Sequence, residues 1–95
     1  MTSYELVVMS GPDGGLVLPM QSGRQTIGRS PVAGLTINDP SIEPHHGIIE
    51  WAPPYLTVES LGGELWADNL TIRLGQSLCE IRETQDIVSQ APKIF

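Results

Sequence analysis

Apolar and polar residues alternate with a period of two along most of this chain, the pattern of half-buried β-strands. Tyr4, Leu6 and Val8 alternate with Glu5, Val7 and Met9 to open a first strand, and Leu16 to Met20 gives a second. Arg24 to Gly28 is a third, and Leu35-Thr36-Ile37 a fourth with Leu35 and Ile37 on one face. His45 to Trp51 also reads as a strand, but His46, Ile48, Ile49 and Trp51 fit no single alternating face. Either both of its faces are covered or a bulge intervenes. In Tyr55 to Leu61, Leu56 and Val58 oppose Thr57 and Glu59; Glu64 to Asp68, Ile72 with Leu74, and Leu78 to Ile81 follow, with Ile87-Val88 as a closing strand. The connections carry turn chemistry: Gly11-Pro12-Asp13-Gly14-Gly15, Gln21-Ser22-Gly23, Pro53-Pro54, Gly62-Gly63 and Gly75. No segment shows helical i, i+3, i+4 spacing. The pattern predicts an all-β sandwich of about nine to eleven short, mainly antiparallel strands.

Length and charge narrow the picture. The 95 residues suffice for one domain, spanning residues 1–95 with a core over about 4–88, and suit the N-terminal domain of a larger protein. Eleven Asp and Glu against five Lys and Arg give a net charge of −6, with arginines scattered at 24, 29, 73 and 82. Counterion release from nucleic acid needs clustered cations, so a nucleic-acid partner is not expected. Cys79 is the one cysteine, which rules out an intrachain disulfide and points to a reducing, cytoplasmic setting. No apolar run reaches the length of a membrane span, and no cofactor motif is present.

Thr26-Ile27-Gly28-Arg29 places a Gly-Arg pair at the end of an early strand, and Leu35 to Ile42 supplies the following strand and loop. Glu43-Pro44-His45-His46-Gly47 comes next, then Glu59 to Trp66, then the turn Leu74-Gly75-Gln76-Ser77-Leu78. In this order and spacing, residues 4–83 resemble the forkhead-associated (FHA) family. The resemblance implies an FHA-like sandwich of the SMAD/FHA type whose loops at one end bind phosphothreonine peptides. It implies a ligand-facing cation at Arg29, structural roles for Gly28 and His46, and binding positions around Ser41, Glu43, Gly63 and Glu64.

The chain departs from the family where the phosphate would sit. Glu43 stands where the family has its phosphate-binding serine, three residues before His46, and Pro44 replaces a frequent arginine. An ionised carboxylate cannot donate a hydrogen bond and repels a phosphate carrying nearly two negative charges. At about 5 Å and an effective dielectric of about 20, that repulsion is several kcal/mol before screening. By the resemblance, Gly63 and Glu64 stand near the family's Asn-Gly-Thr positions, yet the segment between Leu61 and Ala67 holds no Asn, Ser or Thr; Ser41 and Ser60 are the nearest hydroxyls. Two readings of Glu43 stay open: it pairs with Arg29 in place of a ligand phosphate, or it points into water.

Catalysis finds little support. His45 and His46 point to opposite faces of a strand and cannot readily grip one metal ion with Asp39, Glu43 or Glu50. Cys79, between Leu78 and Ile81, reads as a small core hydrophobe rather than a nucleophile served by His46. The sequence therefore predicts a non-catalytic, phospho-independent interaction module for a protein or peptide partner. Two alternatives are an active phosphothreonine reader using Arg29 and Ser41, and an assembly domain of a larger regulatory or secretion ATPase-type protein. Trp51, Tyr55 and Trp66 are aromatic candidates for a partner anchor, with Trp51 better suited to the core and Trp66 to the surface.

Overall fold

The computed structural model describes residues 3–84, which form nine strands and no helix. No element is therefore long and apolar enough to cross a membrane as a helix, among the described residues. In chain order the strands are β1 (Tyr4–Ser10), β2 (Val17–Met20), β3 (Gly23–Gly28), β4 (Leu35–Thr36), β5 (Gly47–Ala52), β6 (Tyr55–Ser60), β7 (Leu65–Asp68), β8 (Thr71–Leu74) and β9 (Ser77–Glu83). They make two sheets, ordered β2-β1-β9-β8-β7 and β4-β3-β5-β6. All pairings are antiparallel except β3 with the two-residue β4. The Ile87-Val88 closing strand falls outside the described residues.

Alternation decides which side chains enter the interface between the sheets. Leu6 and Val8 of β1, Ile72 and Leu74 of β8, and Cys79 and Ile81 of β9 meet Ile27 of β3, Leu35 of β4, and Ile49 and Trp51 of β5. Tyr4 stands edge-on to Trp51 with ring centroids 5.1 Å apart, a favoured aromatic geometry. The ambiguous stretch resolves simply. β5 starts at Gly47, its registers with β3 and β6 run without a break, and Gly47, Ile49 and Trp51 face inward. Ile48 lies half-buried on the outer face, so both faces are apolar there and β5 carries no bulge. A bulge occurs instead at Met9 of β1, where the register with β9 slips between Val8 and Ser10.

Two core residues come from outside the strands. Ile37 and Ile42, in the β4–β5 connection, are essentially fully buried. Burial of each is worth about 1.5–3 kcal/mol, which holds this long connection against the core rather than loose in solvent.

Candidate functional site

The β4–β5 connection is laced to every neighbouring loop at one end of the sandwich. On one side it closes over the end of β3, where Gly28 is buried. The Arg29 N–H donates to the Glu43 carbonyl and the Ser30 N–H to the Pro44 carbonyl, both at 3.0 Å, and the His46 N–H donates to the Ile27 carbonyl at 2.9 Å. A side chain at position 28 would collide with the Pro44 carbonyl, so this close approach requires glycine.

His46, only 2% exposed, joins this connection to the β6–β7 loop. Its Nδ1 accepts from the Glu43 N–H at 3.0 Å, which leaves Nε2 as the protonated nitrogen that donates to the Glu64 carbonyl at 2.7 Å. Gly63 lies flat against the imidazole, and a Cβ on it would overlap the ring atoms. Gly63 and Glu64, read from the sequence as binding positions, thus meet His46 through their backbones, while the Glu64 side chain is exposed. Ser60 closes the same loop by donating to the Gly63 carbonyl and accepting from the Gly62 N–H.

A third attachment was not legible in the sequence. Asp39 is wholly buried and accepts three hydrogen bonds: from the Ser41 N–H and Ser41 Oγ, both at 2.8 Å, and from Ser77 Oγ at 2.6 Å. Burial pushes its carboxyl up. The Ser77 hydroxyl and the Ser41 N–H and hydroxyl more than offset this and hold it below the usual aspartate value. Ser41 Oγ also accepts from the Gln76 N–H at 2.9 Å, and Asp13 of the β1–β2 loop accepts from the Asn38 N–H at 2.7 Å. The site is a preorganised cluster of loops, braced from both sheets.

These bonds bear on two of the sequence readings. In this arrangement Ser41 donates its one hydroxyl proton to Asp39 and accepts a single hydrogen bond from the Gln76 N–H. Of the two readings of Glu43, the one without an ion pair to Arg29 is seen among the described residues. Among the described residues, ion pairs form only at Arg24 and Arg82. The Arg29 Nε donates instead to the Ile42 carbonyl at 3.1 Å, which pins the side chain along the connection. Arg29 and Glu43 are both exposed residues. The two residues are bound through their main chains only.

The features read as catalytic lie apart from one another in chemistry. Both nitrogens of His46 are engaged, and His45 is exposed. Burial pushes the Cys79 thiol up to about 12, so it is protonated at neutral pH. Among the described residues, no three His, Cys, Asp or Glu side chains converge in the manner of a metal site.

Comparison with protein-family models gives no match, and none of the curated proteins compared matches the chain. Solved structures do. An FHA domain from a study of phosphothreonine-dependent FHA domain interactions superposes with a TM-score of 0.66 at 24% identity, covering 90% of this chain and 100% of that one. The FHA domain of FhaA, complexed with the intracellular domain of Rv3910, gives 0.64 at 25% identity over 84% of this chain and all of that one. The FHA domain of an Arabidopsis thaliana hypothetical protein gives 0.69 at 23% identity, with 90% and 89% covered. The likeness extends over the whole sandwich, and it establishes the fold.

Proposed function

We propose that this chain, an FHA-type β-sandwich, is a non-catalytic protein-interaction module whose loop end engages its partner without requiring a phosphate. One observation carries the reading: the Ser41 hydroxyl, the donor the sequence offers for a phosphate, is directed to the buried Asp39 carboxylate. Arg29 is then the sole cation among the described loops, with Glu43 at the position of the family's serine. Phosphate capture ordinarily needs several charge-assisted donors at once, and one arginine falls short of that. Protein binding as such is supported by the fold and by the FhaA domain, which is complexed with another protein's intracellular domain. The non-catalytic part of the reading is supported by the protonated, buried Cys79 thiol and by the structural engagement of both His46 nitrogens.

The second reading, a phosphothreonine reader, is favoured by the exposed Arg29 and by the neighbour studied for phosphothreonine-dependent interactions. A titration separates the two. A degenerate phosphothreonine peptide library is added to labelled protein, beside the same library unphosphorylated, and amide shifts are followed. The proposed function expects no phosphate-dependent shift at Arg29 or Ser41. Micromolar, phosphate-dependent shifts there would make the second reading the correct one.

A further inference from the structure

We propose that the loop end recognises an unphosphorylated segment of a partner in which one Asp or Glu side chain is flanked by Lys or Arg. This rests on the interaction role argued above and specifies its ligand. The first support is the state of Arg29. Its Nε is tethered to the Ile42 carbonyl, the residue is exposed, and among the described residues its side chain forms no ion pair. A planar carboxylate is satisfied by a guanidinium fork, whereas a phosphate dianion presents three acceptor oxygens and keeps unmet demands.

The second support is the charge around that fork. Glu43 and Glu64 are both exposed, and neither forms an ion pair among the described residues. Their backbones are joined through the two nitrogens of one imidazole, which places both residues at this loop end. The other described cations are engaged elsewhere: Arg24 and Arg82 in ion pairs, and Arg73 over the Trp66 ring at 5.8 Å. One cation beside two carboxylates leaves little net attraction for an anion. Desolvation cost rises steeply with charge, so a monoanion enters at far less cost than a dianion. Cationic neighbours in the same segment would meet Glu43 and Glu64. Val32 and Leu61, 80% and 48% exposed on the two adjoining loops, add apolar surface at the same end.

Four amidated peptides of one length test this by fluorescence anisotropy and amide shifts. They are a Glu flanked by Lys and Arg, its Glu-to-Gln form, its Glu-to-phosphothreonine form, and the Glu form with Ser flanks. The first is expected to bind tightest, with roughly tenfold losses for the Gln and Ser-flank forms. Arg29→Ala should abolish the difference between Glu and Gln peptides. Glu43→Gln with Glu64→Gln should weaken the basic peptide, flatten its salt dependence and strengthen the phosphopeptide. Equal binding of Glu and Gln peptides, with shifts still confined to the loops, overturns this inference and leaves the loop-end interaction role standing. A phosphopeptide that binds tightest through Arg29 overturns both this and the phosphate-independent reading. Binding by none of the four overturns the inference alone, since the library titration judges the broader role.

Discussion

His46 offers a direct measure of how much of the binding end depends on one buried side chain. In His46→Ala the Glu43 N–H and the Glu64 carbonyl both lose their partner, and Gly63 loses the surface it lies on. Each intramolecular bond is worth about 1 kcal/mol net, and a buried group left unmet costs about 1–3 kcal/mol. The void beneath Gly63 adds about 1–2 kcal/mol, while water entering it returns part of the loss. The balance is about 3–5 kcal/mol, a large fraction of the 5–15 kcal/mol typical of a domain. For a chain this short, each kcal/mol lowers Tm by roughly 4–8 °C. His46→Phe separates the contributions, since it keeps a ring under Gly63 and removes both hydrogen bonds; its cost should be about 2–4 kcal/mol. Urea unfolding, followed by the fluorescence of buried Trp51 in a Trp66→Phe background, measures both. Amide exchange at Glu43 should accelerate in each variant. If both variants fall within about 0.5 kcal/mol of the parent, His46 does not hold these loops together and the argument fails.

Gly63→Ala should destabilise by about 1–3 kcal/mol through overlap with the imidazole, and combining it with His46→Ala should erase most of that penalty; additive losses would refute the contact. Asp39 makes stability depend on pH with a definite sign. Its folded carboxyl lies below the ordinary value of about 3.9, so the unfolded chain binds more protons in that range; the contribution is whole above it and fades as pH falls toward the folded value. Asp39→Asn should therefore flatten the acid limb of a stability–pH curve, and an unchanged slope would count against the assignment. Cys79 should resist a thiol reagent in the native protein and react only as the protein unfolds, so rapid native labelling would contradict its burial.

Most of the fold was legible because period-two alternation reports which side of a strand faces the core and the glycine and proline turns mark where each strand stops. It failed where the signal is not alternation. Ile48 blurred β5 because its outer-face position is half-covered by neighbours such as Arg24, which reaches Glu50 at 3.9 Å and Glu59 at 3.6 Å; the stems of charged residues shelter an apolar side chain without leaving a periodic trace. The Met9 bulge is a property of pairing with β9, and a single strand does not contain it.

The site shows the same divide in sharper form. Gly28, Arg29 and His46 could be placed because they keep their spacing. What their side chains do depends on partners remote in sequence. Asp39-Pro40-Ser41 reads as ordinary loop chemistry, and Asp39 followed two residues later by a bonded amide is a familiar local turn. Its bond to Ser77, 38 residues away, is what turns the loop into a buried anchor. That anchor also takes the Ser41 proton, so it acts on binding chemistry without touching a ligand. Restoring a serine at position 43 would remove the repelling charge but leave Ser41 engaged. Any phosphate affinity regained by Glu43→Ser would then come from the new hydroxyl and Arg29 together, and removing Arg29 should abolish it.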